Sequence, residues 1–182
     1  MLPNHILKPQ GNATPGVTPE VLFAPKEHFL VIASAPAIET TPGEDVIITD
    51  DHTFMDPDLG FIRLELTDKT ANLTLTQTGE LDSESTNAVF EGFSAGLNEA
   101  LLSLMGKQFG GIVLLQDTSC SVARYYQLGT SCSVSYKKGF EFTTGISGGE
   151  GRKGMKVRFE ATMEKPLIYT GAVTLATQPV TS

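Results

Sequence analysis

The chain has 182 residues, a formal net charge of −8 and no tryptophan. A chain of this length buries about 70% of its unfolded surface in one core, and two full domains would leave both halves thin, so one core with extensions is expected. Frequent Thr, Val, Leu and Gly suit strands and tight turns more than a helical bundle.

No run approaches the roughly 18 apolar residues of a membrane span, and Met1 to Gly11 lacks the charged start and apolar centre of a secretory signal. A protein without membrane partners, made in a reducing cytoplasm, is expected. The charge is unevenly placed: 13 acidic and 4 basic residues up to Asp82 give −9, and 8 acidic and 9 basic from Ser83 onward give +1. An acidic front half argues against a nucleic-acid grip, which needs a basic stripe to displace counterions. It suits plain solubility, or a surface that must not hold DNA.

In chain order, the first 25 residues carry Pro3, Pro9, Pro15, Pro19 and Pro25 among polar residues without periodicity, which reads as an extended arm. Residues 26–182 then form a single β-domain. His28 to Ala33 and Asp45 to Thr49 are the first strand signals. Asp50, Asp51, His52, Asp56 and Asp58 follow as the densest polar cluster. Carboxylates could bind Ca²⁺ there, or His52 a transition metal, but an EF-hand frame opened at Asp50 puts Met55 at the turn glycine and Phe61 at the closing glutamate. A solvated turn or a charged partner contact suits the cluster better, so no metal and no cofactor is expected.

Gly60 to Thr67 and Ala71 to Gly79 alternate with period two, one apolar face each, and read as a hairpin turning at Asp68-Lys69-Thr70. From Val89 the large apolar residues fall at Val89, Phe90, Phe93, Leu97, Leu101 and Leu104. That spacing predicts an amphipathic helix over about 83–108, opened by Asp82 and Ser83 and stopped by Gly110 and Gly111. Gly92-Phe93-Ser94-Ala95-Gly96 matches the G-x-S-x-G frame. A mid-helix serine and the absence of any histidine after it reject the nucleophile elbow, leaving Gly92 and Gly96 as points of close backbone approach. No catalytic residue and no enzyme is expected.

After the helix, Ile112 to Gln116, Ser121 to Gln127, Ser131 to Tyr136, Phe140 to Gly145, Met155 to Met163 and Pro166 to Thr174 read as strands at intervals of about ten residues, as in a sandwich or barrel. Cys120 and Cys132 would not face each other across a turn at Gly129 and Thr130, so both read as buried free thiols. The Gly-rich stretch with Gly148, Gly149, Glu150, Arg152 and Lys153 fits no phosphate-binding frame. It reads as a hairpin tip or an assembly contact.

The fold expected is therefore mainly β: an antiparallel sandwich or barrel with one flanking helix, an extended N-terminal arm and long loops. This order of parts resembles the tail-tube proteins of long-tailed phages. The resemblance is carried by the apolar strand ending in Gln116-Asp117 and by the closing strands from Phe140-Glu141-Phe142-Thr143-Thr144-Gly145 to Lys165-Pro166-Leu167-Ile168-Tyr169-Thr170-Gly171, and is closest over residues 81–173. It implies a structural virion protein of the phage tail, assembled in the host cytoplasm. By the family's pattern sheet edges would join copies into hexameric rings, and arms and loops would stack the rings into an acidic tube through which DNA passes without specific binding.

The partners implied are further copies and other tail proteins. Pro9 and Pro15 of the arm and Gly148, Gly149, Glu150, Arg152 and Lys153 of the loop are the subunit-interface candidates. The alternatives are another virion component, such as a tail-completion, tube-initiator or head-decoration protein, or a small-ligand-binding β-barrel.

Overall fold

The computed structural model describes residues 16–80, 83–118, 123–145 and 151–177. Thirteen strands and one α-helix follow one another: β1 Val17–Pro25, β2 Phe29–Val31, β3 Ile47–Ile48, β4 Thr53–Phe54, β5 Ile62–Glu65, β6 Asn72–Thr78, β7 Ser85–Ala95, α1 Glu99–Gly106, β8 Gly110–Asp117, β9 Tyr125–Leu128, β10 Ser135–Lys137, β11 Glu141–Thr143, β12 Gly154–Met163 and β13 Leu167–Tyr169. The described residues are mainly β with a single α-helix, as expected.

Eleven strands share one sheet, and β2 with β4 form a second, two-stranded one. At the centre, β8 carries β1 along one side and β9 and then β10 along the other, because Val113 to Leu115 pair with both β1 and β9. From β10 the sheet continues through β12 and β7 to β6; from β9 it continues to β13 and β3. The named ladders are antiparallel apart from β13 with β3, which is parallel.

The sheet also curls back on itself. β5 lies on the outer side of β1, and just beyond its end the Thr67 N–H donates to the Phe93 carbonyl of β7 at 2.8 Å. The Ala95 N–H donates to Thr67 Oγ1 and the Phe93 N–H to Thr70 Oγ1. The core fills the space enclosed: Phe23 of β1 lies 6.0 Å from Phe159 of β12, and Phe109 stands edge-on to both. Ile112, Val113, Leu114 and Leu115 are fully buried, as a strand covered on both faces requires.

Four expectations are corrected. The helix is Glu99–Gly106, not 83–108, and Ser85–Ala95 is a strand paired with β12 from Thr86 to Ala95. Thr86, Ala88, Phe90, Gly92 and Ser94 point inward with strict period two, whereas Val89 and Phe93 lie half-buried on the other face. A spacing of 89, 90 and 93 satisfies both periods; the β-branched and aromatic residues and the glycines decide for the strand. Gly92 faces inward onto Leu66, where an added Cβ would come to 2.5 Å from Cδ1, and Gly96 is a turn glycine with φ of +89°. Ser94 is thus inside a ladder, paired with Met155.

Secondly, β5 and β6 do not form a hairpin. β5 pairs with β1 and β6 with β7, the Asp68-Lys69 turn carrying the chain from one to the other. Thirdly, residues 17–25 are not arm: Val21, Leu22, Phe23 and Ala24 are buried in β1 between two neighbours, and the prolines at 19 and 25 sit outside the run of core residues. The rest of the expected arm, with Pro9 and Pro15, lies outside the described residues. Lastly, Cys132 is an exposed free thiol, because it lies in the tight turn in which the Thr130 N–H donates to the Ser133 carbonyl. Cys120 lies outside the described residues.

Candidate functional site

One surface that stands out is the outer rim of β6, Asn72-Leu73-Thr74-Leu75-Thr76-Gln77-Thr78. β6 ends the strand order and, among the described residues, pairs with β7 alone, from Asn72 opposite Glu91 to Thr78 opposite Ser85. Its hairpin is held at the turn by Gly79, whose φ of +112° no other residue adopts cheaply, and by the Ser83 N–H donating to the Glu80 carbonyl at 2.9 Å. Gln77 Nε2 donates to Glu84 Oε2 across the strands.

Apart from Leu73, every β6 residue is exposed, and Leu75 shows 40% of its surface. Natural sheets protect such a rim with lysine, proline, a bulge or a cover. β6 carries no charge and no proline, and its seven-residue register with β7 has no shift. Nearby charges are already paired on the outer face of β7 and β12. Glu91 meets Lys156 at 3.2 Å and Arg158 at 3.0 Å, and Lys138 meets Glu160 at 2.7 Å. The Lys138 hydrogen bond, more than that of Arg158, holds the Glu160 carboxyl below its ordinary range. The rim itself is left neutral.

The expected interface residues of the Gly-rich loop divide. Gly148, Gly149 and Glu150 lie outside the described residues. Arg152 and Lys153 are exposed at the entry to β12, where the Lys153 carbonyl accepts the Gly96 N–H at 2.9 Å.

The Asp50 to Asp58 cluster is dispersed. Asp51 Oδ1 accepts the Ala172 N–H at 2.6 Å, Asp56 Oδ1 caps the Asp58 N–H, and Asp58 Oδ1 accepts the Thr177 hydroxyl. Asp50 is exposed, and its carbonyl stands against Gly171. Among the described residues no three His, Cys, Asp or Glu side chains come together as a metal would need.

His52 has left the acidic surface altogether. It is 5% exposed, stacked flat on Tyr169 at 4.5 Å between ring centroids, with Phe29 and Phe61 at its edges. Its Nδ1 accepts the Ala33 N–H at 3.0 Å, which places the ring proton on Nε2, donated to Gln127 Oε1 at 3.1 Å. Gln127 in turn donates to the Gly129 carbonyl. Burial pushes the His52 pKa below its ordinary value, against the opposing pull of Gln127 and Asp51. Both ring nitrogens are therefore occupied, and neither is placed to activate a serine.

A cavity of about 350 Å³ opens beside this cluster, lined by Ala33, Gln127, Cys132 and Lys165 among others. The Gln127 amide forming part of it is spent on His52 and Gly129, and Lys165 on Asp45 at 2.8 Å. Sequence reading missed both the rim and the Gln127 and Tyr169 partners of His52. The rim had a local signal in its uncharged Thr and Leu alternation; the partners, 75 and 117 residues away, had none.

No family model, curated protein or solved structure matches the chain. Among the described residues no helix is long and apolar enough to cross a membrane.

Proposed function

We propose that the chain is a self-assembling structural protein of the phage tail-tube kind, in which the β6 rim of one copy adds to the sheet of the next. The observation that carries this reading is the rim itself: seven residues of neutral, regular, exposed strand with none of the devices that keep a soluble monomer from growing among the described residues. An open edge of this length is a template for another strand, and in a rotationally repeated contact each copy would satisfy its neighbour's edge. The acidic excess of the chain fits a conduit that repels phosphate, the role the resemblance gives to the lumen.

The test is the state of the purified chain. Negative-stain images and sedimentation at rising protein and salt concentration are expected to show rings or tubes. A double substitution, Thr74→Lys with Thr76→Lys, places two like charges on the rim and is expected to leave the melting temperature unchanged while abolishing assembly. Monomers at every concentration and salt, or assembly untouched by the two lysines, would overturn the reading. Discrete rings that never elongate would instead place the chain among completion, initiator or decoration components.

A further inference from the structure

The two-stranded sheet of β2 and β4 stands apart from the eleven-stranded sheet and is apolar on its outside. It pairs only Phe29 with Phe54 and Val31 with Thr53, with a register irregularity between them, and a two-stranded sheet is marginal alone. Its outer residues Leu30, Val31 and Met55 are 64%, 53% and 63% exposed. Two sets of contacts fasten it to the large sheet: the rings of Phe29 and Phe54 pack on buried Phe61, and His52 supplies the polar contacts. His52 immediately precedes β4, and Ala33, whose N–H it accepts, lies two residues after β2. On the other side its ring lies on Tyr169 of β13, its Nε2–H reaches Gln127 of β9, and its backbone N–H donates to the Tyr169 hydroxyl at 3.3 Å.

We propose that His52 is an acid-released latch: while neutral it pins the β2–β4 sheet, with its exposed apolar residues, to strands β9 and β13, and on taking up a proton it lets that sheet go. The geometry leaves the incoming proton one place, Nδ1, since Nε2 already carries one. A protonated Nδ1 faces the Ala33 N–H, donor against donor, and the 3.0 Å bond must break.

The groups that face the ring are few. Asp51, on its own segment, favours the cation, but its carboxylate is engaged by the Ala172 N–H. From β13 comes Tyr169, whose hydroxyl donates to the Ala172 carbonyl and whose own ionisation burial pushes upward, out of the acid range; Tyr125 of β9 acts on it in the same direction. From β9 comes the uncharged Gln127, and from β2 and the approach to β5 come the rings of Phe29 and Phe61. Burial outweighs the single carboxylate, so the neutral ring belongs to the latched state.

The experiment follows the isotope-labelled full chain by nuclear magnetic resonance from pH 8 to about pH 4.5, reading the His52 ring nitrogens and the hydrogen-exchange protection of the Ala33 amide. Ala33 protection is expected to hold from pH 8 to about pH 6.5 and then to fall about tenfold per pH unit, the slope of one proton taken up on opening, until the ring nitrogens themselves report the cation. Amides of Ala88 and Val157, in the β7–β12 ladder, should stay protected. In His52→Asn the side-chain oxygen can accept the Ala33 N–H but cannot titrate, and protection is expected to stay flat. A ring that titrates while Ala33 stays protected overturns the latch. So does a fall of the same size in His52→Asn, or simultaneous loss of Ala88 and Val157. Should His52→Asn fail to fold, the wild-type measurement decides alone.

Discussion

Gly111 shows how tightly single residues are held where β1 and β8 cross. A Cβ at that position would fall on the Ala24 carbonyl, which is backbone of the paired strand and cannot step aside. Gly111→Ala is therefore expected to cost about 2–4 kcal/mol in urea unfolding, since the ladder must separate to admit one methyl group. Gly106, the last residue of α1, is the control, with nothing within 4 Å of an added Cβ. Gly106→Ala is expected to stabilise by up to about 1 kcal/mol, through helix propensity alone. His52 sets a pH dependence at the same scale. Its pKa is lowered on folding, so between the folded value and the unfolded value of about 6.5 the unfolded chain binds more protons and stability rises with pH. Its contribution is complete above about pH 6.5 and is lost as pH falls below it. Urea midpoints of wild type and His52→Asn at pH 8 and pH 5 should show the loss only in the wild type.

At the scale of elements, α1 depends on contacts from outside its own sequence. Asn98 caps its start by accepting the Leu101 N–H at 3.2 Å, but no basic residue lies in its last turn. The C-terminal carbonyls are met instead by Lys137 of β10, whose Nζ donates to Leu104, Met105 and Lys107 while lying 5.5 Å from the Phe140 ring. Lys137→Met keeps the aliphatic stem and removes the donor. It is expected to cost about 1–2 kcal/mol and to raise amide exchange in α1 ahead of the sheet. These long-range supports explain what could be read from the sequence. The apolar run at Ile112 to Leu115 and the alternation of residues 61–66 were legible, because burial and period are local properties, whereas the alternation of 72–76 marked a strand but not a buried face, since Leu75 is exposed. Pairing was not: the turn at Asp68-Lys69 joins strands of different neighbours, and nothing local says that Leu64 faces Val21. The stretch 85–95 was misread because its largest side chains suit a helix, while the deciding fact, a partner ten residues long in β12, lies some 70 positions on.

Over the whole molecule, the ends of the chain separate folding from assembly. β1 contributes five buried residues, Val17 and Val21 to Ala24, and pairs on both sides, so it belongs to the core in the full energetic sense; burying Val21, Leu22 and Phe23 alone is worth about 1.5–3 kcal/mol each. Removing residues 1–25 takes this strand away and leaves β5 and one side of β8 without a partner. Removing residues 1–15 leaves every described ladder in place. The two truncations are thus expected to behave differently: the longer should lose its cooperative thermal transition and its near-ultraviolet circular dichroism, whereas the shorter should melt as the full chain does. If stacking of rings uses the proline-containing arm, as the tail-tube reading implies, the shorter truncation should also form rings that no longer elongate, visible by negative stain beside tubes of the full chain. The net charge of −8 adds a condition, because like-charged copies repel at low ionic strength. Elongation of the full chain should therefore rise with salt and stay absent at every salt concentration in the shorter truncation. Tubes of undiminished length from that truncation would move the stacking contact from the arm to the loops.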